Sequence, residues 1–212
     1  MPDAEDVLAL HGLWMTGLEA TLFRRRLGQH GFEVRQFQYN SLTAQLPQVV
    51  EELRSAVLAV ERPVHLVGHS LGGLIALSLL IAHPELPIGR AVLLGSPVNG
   101  SRAARAFSRW PGASLLFGQL ADAQILSGQA RPTRYPVEIG VIAGSQSLGL
   151  GRFLGNLPEP NDGTVSVDET QLEGATESLV LPVSHTGMMI SQSVVAATAR
   201  FLATGGFSEP EP

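Results

Sequence analysis

The chain has 212 residues, 44% hydrophobic and 16% charged, which is enough apolar content for one large buried core and excludes a disordered chain. Its formal net charge is -5, all 14 basic residues are arginines, and the longest basic run is Arg24-Arg25-Arg26, so nothing argues for a nucleic-acid partner. Cysteine is absent, which excludes disulfides, thiol chemistry and cysteine-based metal sites.

The acidic start, Met1 to Asp6, lacks the basic residues and long apolar core of a secretory signal, and no run approaches the roughly 18 uninterrupted apolar residues of a membrane span. A cytoplasmic protein without stable membrane anchoring is therefore expected. Val7-Leu8-Ala9-Leu10 reads as a buried parallel strand that stops at His11-Gly12-Leu13-Trp14. From Leu18, the residues Leu22, Phe23 and Leu27 recur at helical spacing, with Gly28 and Gly31 bracketing the helix end. Phe32 to Tyr39 reads as a strand. A second helix is expected from near Thr43, tolerating Pro47 in its first turn and burying Leu46, Val49, Val50, Leu53 and Val57.

After Arg62-Pro63, an apolar run beginning at Val64 breaks into Gly68-His69-Ser70-Leu71-Gly72, then resumes as an apolar helix that must end before Pro84. This fits G-x-S-x-G, in which a serine sits on a strained strand-to-helix turn and the glycines permit close backbone approach. The turn presents the hydroxyl at the positive end of the following helix, where the Leu71 amide points into the same space. By the same logic the loop after the first strand offers a second amide, that of Leu13, for an oxyanion hole. His11, at the end of a buried strand, reads as a structural group.

Ala91 to Leu94 is the next strand, ending at Gly95-Ser96-Pro97. Regular alternation then fails, and 98–136 reads as a short helical cap insertion carrying Arg102, Arg105, Arg109 and the run Leu115-Leu116-Phe117. Val137 to Ala143 is a strand, followed by a glycine-rich loop leading to Asn161-Asp162-Gly163-Thr164. Ser178 to Val183 is the last strand, and a closing helix from Met188 to about Thr204 ends at Gly205-Gly206.

Alternating strands and helices predict an α/β chain, one domain over 1–212, with sites at the carboxyl ends of parallel strands. Ser70 follows the third strand, Asp162 the fifth and His185 the sixth, the chain order of an α/β-hydrolase triad. Asp168 is the other aspartate between the last two strands, but it lies beside Glu169 in a setting that suits an exposed helix start. Asp162, in an Asn-Asp-Gly turn, is the better acid.

Together, His11-Gly12-Leu13, Gly68-His69-Ser70-Leu71-Gly72-Gly73, Asn161-Asp162-Gly163 and the late His185 resemble a compact α/β-hydrolase of the bacterial lipase and esterase type. The resemblance implies a six-stranded, mainly parallel sheet with helices on both faces and a short helical cap. It also implies Ser70 as nucleophile, Asp162 as acid, His185 as base, Leu13 and Leu71 as oxyanion amides, and no cofactor. The family's opening antiparallel hairpin is not expected before Val7. Lipases of this type often hold calcium through aspartates near the acid and base; here no aspartate lies between Asp122 and Asp162 or after His185, so no metal site is expected. The partner is then a small ester or acyl substrate, with Trp14, Met15, Leu116, Phe153 and Met188 as acyl-pocket candidates. An acyltransferase or thioesterase using the same triad is the nearest alternative, and a non-catalytic binding protein on the same fold is a more distant one.

Overall fold

Six strands, β1 (Glu5–Leu10), β2 (Phe32–Phe37), β3 (Val64–His69), β4 (Ile88–Leu94), β5 (Glu138–Gly144) and β6 (Glu177–Leu181), form one sheet in the order β2-β1-β3-β4-β5-β6. Every neighbouring pair is parallel. The structure is a computed structural model that describes residues 4–13, 21–107, 132–148 and 157–208. The strand order reverses between β1 and β3, and at such a switch point the loops leaving neighbouring strands diverge and open a crevice at their carboxyl ends.

The helices are α1 (Thr21–Gly28), α2 (Leu46–Leu58), α3 (Leu71–Ala82), α4 (Arg102–Phe107), the short α5 (Val167–Thr170) and α6 (Gln192–Thr204), with a 3-10 turn at Gly187–Ile190. They cover both faces, so the sheet separates two apolar clusters. One joins α2 and α3 to Leu8, Leu66, Leu93 and Val141; the other joins α1 and α6 to Val7, Val67, Val92 and Ile142. These strand residues alternate between faces, as side chains on a pleated backbone must. Because both faces are covered, β3 is buried at every position and reads as a continuous run. Helix α3 is apolar all round and buries Leu74, Ile75, Leu77, Leu79 and Leu80, each worth roughly 1.5–3 kcal/mol against exposure.

Several element bounds differ from the sequence reading. Helix α2 begins at Leu46 because Asn40 captures the chain first: its Oδ1 accepts the N–H groups of Leu42 at 3.0 Å and Thr43 at 3.1 Å, closing a local turn. Leu22, read as part of the inward stripe of α1, is exposed, while Phe23 and Leu27 are buried. The closing helix is divided, since Ser191 ends the 3-10 turn and caps α6 by accepting the Val194 N–H. Gly205 ends α6 in the left-handed conformation, with φ 82°. Of the cap insertion, α4 and the flanking residues lie within the description; Arg109, Leu115, Leu116 and Phe117 lie outside it. No helix among the described residues is long and apolar enough to cross a membrane.

Candidate active site

Ser70 is the only non-glycine residue among those described with a positive φ, at 54° with ψ -118°. A conformation this rare costs on the order of 1–3 kcal/mol and persists only where its surroundings impose it. Here they do. The Ser70 N–H donates to the Leu94 carbonyl of β4 at 2.9 Å, and its own carbonyl accepts the Gly73 N–H at 3.1 Å. A Cβ on Gly68 would fall 2.4 Å from the Gly73 backbone nitrogen, so the strand can fold straight back against the helix start only with glycine there. A Cβ on Gly72 would fall 2.4 Å from the Leu10 carbonyl oxygen and 2.7 Å from that of His11. The first turn of α3 therefore lies directly against the end of β1.

That contact brings together the two segments predicted to supply oxyanion amides. Leu71 is the first residue of α3 and is fully buried; Leu13 follows β1, half-buried against the α2 and α3 cluster. The loop between β1 and Leu13 is braced by Tyr39, whose hydroxyl donates to the His11 carbonyl and whose ring stacks on the His11 imidazole at 4.2 Å. Burial pushes the Tyr39 phenol well above its ordinary range, keeping it a neutral donor. His11 itself is buried and hydrogen-bonded to the Gly12 carbonyl at 2.9 Å, consistent with a structural place.

On the other side of the elbow, the loop after β5 folds around Asp162. The Asn161 side chain accepts the Gly163 N–H at 2.9 Å, while Asp162 Oδ1 accepts the N–H groups of Thr164 at 2.9 Å and Val165 at 2.7 Å. Its second oxygen, Oδ2, lies 2.7 Å from Nδ1 of His185. The carboxyl is fully buried. Burial alone would raise its pKa, but the charge and hydrogen bond of His185, with the Val165 and Thr164 amides, outweigh it and hold the group below the ordinary carboxylate range. An Asp162 ionised at neutral pH and bonded to Nδ1 fixes the imidazole orientation and leaves Nε2 for other partners.

Asp168 sits elsewhere in the same segment. It is half exposed and pairs with Arg102 of α4 at 2.8 Å; a hydrogen bond from Ser166, followed by Arg102, lowers its pKa. Beside it, the buried Glu169 accepts the Arg102 N–H at 2.6 Å and the Ser166 N–H at 3.0 Å, so one carboxylate ties the root of the insertion to the start of α5. Of the acyl-pocket candidates, Met188 is fully buried in the apolar cluster under α6. Trp14, Met15, Leu116 and Phe153 lie outside the described residues. Among the described residues, no three His, Asp or Glu side chains gather as metal ligands would.

Two residues here went unmarked in the sequence reading. Gly95, with φ 56°, follows the carbonyl that holds Ser70, and a Cβ there would meet His185 Nδ1 at 3.1 Å and Asp162 Oδ2 at 3.2 Å. His69 is buried and sends Nε2 to the His185 carbonyl at 3.0 Å. The signals are a glycine at the end of a parallel strand beside the elbow, and a histidine as the last residue of a buried strand.

A match to the alpha/beta hydrolase family spans residues 7–169, taking in Ser70 and Asp162 and stopping before His185. A search of the curated proteins finds no sequence match. Among solved structures, the chain is similar to a Bacillus licheniformis lipase, BlEst2, in its mature form, with 20% identity, 97% of this chain and 94% of that one covered, and a TM-score of 0.73. It is also similar to the pyrethroid hydrolase PytH, with 13% identity, 95% and 98% coverage and a TM-score of 0.66. The RedJ thioesterase of the Streptomyces coelicolor prodiginine pathway follows, with 14% identity, 94% and 88% coverage and a TM-score of 0.62. At these identities the likeness is one of fold. The family match over most of the chain, with a strained serine elbow and a parallel sheet of matching topology, shows that this chain belongs to the alpha/beta hydrolase family.

Proposed function

We propose that the chain is a serine hydrolase that cleaves carboxylic esters of short or medium acyl length through an acyl-serine at Ser70. The observation that carries this reading is the buried 2.7 Å contact between Asp162 Oδ2 and His185 Nδ1, at the same sheet end as a serine held at positive φ. In the proposed reaction, Nε2 of His185 takes the proton from Ser70 Oγ as Oγ bonds to the ester carbonyl carbon. The tetrahedral intermediate collapses, the bond to the alkoxy oxygen breaks, and the proton passes from His185 to the leaving alcohol. Water, deprotonated by His185, then attacks the acyl-serine; the acid is released and the proton returns to Ser70. The Leu13 and Leu71 amides receive the developing oxyanion, and a single such donor is generally worth about 2.7 to 4 kcal/mol of transition-state stabilisation. Asp162 remains ionised and stabilises the imidazolium that forms twice in the cycle.

The same steps with a thiolate leaving group give thioester hydrolysis, the activity in the name of the RedJ neighbour, and with an alcohol in place of water they give acyl transfer. A panel of soluble aryl esters of graded acyl length, matched acyl thioesters and an added alcohol acceptor separates these readings. The proposal expects the highest kcat/KM on short or medium esters, with free acid as product. A higher kcat/KM on thioesters, or partition of the acyl group chiefly to the alcohol, reassigns the reaction. Preference for emulsified long-chain triglycerides contradicts the stated acyl length.

A further inference from the structure

We infer that His69, the residue preceding Ser70, is a positioning residue whose Nε2–H fixes the backbone of His185 and so aims the base at the nucleophile. The inference rests on the serine-hydrolase reading and deepens it by giving a task to a group that the reaction scheme leaves idle.

His185 lies in the loop after β6, where no regular ladder holds the chain. Its peptide groups are tied instead by side chains and loop backbone. The N–H donates to the Asp162 carbonyl at 2.9 Å, and the carbonyl accepts from His69 Nε2 at 3.0 Å. With the Asp162 carboxylate on Nδ1, the residue is held at three points, and His69 supplies the only one that comes from the elbow segment. The two imidazoles also pack together, with centroids 4.7 Å apart and planes tilted by 45°. One short segment therefore carries both the proposed nucleophile and the group that locates its base.

The chemistry of the contact sets the state of the ring. A carbonyl oxygen can only accept, so the proton of His69 is on Nε2, and Nδ1, which has no hydrogen-bond partner among the described residues, is bare. Burial above all, then the charges of His185 and His11, push His69 down to about 3, against the opposing pull of the His185 carbonyl and Asp162. Neutrality suits the task. A charged His69 would stand beside the imidazolium that forms on His185 and oppose it at each proton transfer; the neutral ring donates one hydrogen bond and adds no charge.

Two substitutions separate the donor from the ring. His69→Gln places an amide N–H at a similar reach without the ring, and His69→Leu keeps apolar bulk without a donor. On the best ester of the panel, His69→Leu is expected to lose about 10²-fold in kcat, the scale of loss that a misplacement of about 1 Å produces, with KM little changed. His69→Gln is expected to recover most of that loss. Equal kcat in both variants and wild type, or a Leu variant as active as the Gln variant or more so, would overturn the inference, because packing would then suffice. Wild-type protein provides a check that needs no variant to fold: long-range ¹H–¹⁵N spectra are expected to show His69 protonated on Nε2 and not titrating between about pH 5 and 8. A proton on Nδ1, or titration in that window, overturns it. If wild-type protein turns over no ester or thioester, the serine-hydrolase reading itself fails and takes this inference with it. Turnover that is indifferent to His69 removes the inference alone.

Discussion

Asp162 grips His185 at two points: its Oδ2 lies 2.7 Å from Nδ1, and its backbone carbonyl accepts the His185 N–H at 2.9 Å. The side-chain contact sets the tautomer and the backbone contact sets the place. An amide substituted for the carboxylate alters the first and leaves the second.

Asp162→Asn should therefore fold and bind substrate with little change in KM while losing about 10⁴-fold in kcat, the cost of the wrong imidazole tautomer in a serine protease triad. Asp168→Asn should lose less than about tenfold, because its partner is the exposed Arg102 and not His185. Steady-state kinetics on both purified variants, with circular dichroism as a check on folding, decide the matter; the reverse pattern would make Asp168 the acid.

Gly95→Ala should be far more harmful than an ordinary surface change of one methyl group. The residue combines φ 56°, which strains any L side chain, with a position whose Cβ would press on the Asp162–His185 contact at 3.1–3.2 Å. We expect kcat to fall at least about tenfold, since small misplacements of positioned groups are costly, and the melting temperature to drop with it. A variant with wild-type kinetics would show that the contact tolerates displacement.

Much of this arrangement is legible in the sequence. Strands covered on both faces are mostly apolar, so Val64, Leu66 and Val67 mark a buried strand in spite of His65, and the glycine-bracketed serine after it marks an elbow. The Asn161-Asp162-Gly163 turn was legible because its side chains fold it locally. What escaped depends on distant partners. The role of His69 exists only because the loop after β6 returns to the elbow, and that of Gly95 only because β4 lies beside β3.

Acid should destabilise the fold through its buried neutral histidines. His69 is held to about 3 by burial and the charge of His185, and His65 is lowered chiefly by burial, against the hydrogen bond of Glu5. An unfolded histidine binds its proton near pH 6.5, so below about that value the unfolded state takes up protons that the folded state refuses. Stability should fall with pH across this window, with a slope approaching about 1.4 kcal/mol per pH unit for His69, levelling only near its folded value. Asp162 acts in the same direction at lower pH: its depressed pKa contributes stability above about pH 3.9, lost as pH falls through the folded value. Urea unfolding between about pH 4.5 and 7.5 should show the slope, and His69→Gln should flatten it. An unchanged slope in that variant would mean that His69 is charged in the folded protein.

Activity and melting temperature should both survive excess EDTA. Asp162 is engaged with His185 and Glu5 with His65, and among the described residues no three His, Asp or Glu side chains gather as metal ligands would. Loss of activity or a fall of several degrees on chelation, restored by calcium, would reveal a site that these side chains do not form.

The account stands most directly on Ser70 as the nucleophile. Intact-protein mass spectrometry after treatment with a fluorophosphonate probe should show one adduct on the wild type, mapped to Ser70 by peptide digestion, and none on Ser70→Ala, which keeps the fold because the elbow accepts a small side chain. The Asp162→Asn variant should label far more slowly than wild type, because the same base activates the serine towards the probe. An unlabelled wild type, or a Ser70→Ala variant that labels or turns over ester as well as wild type, would contradict the account.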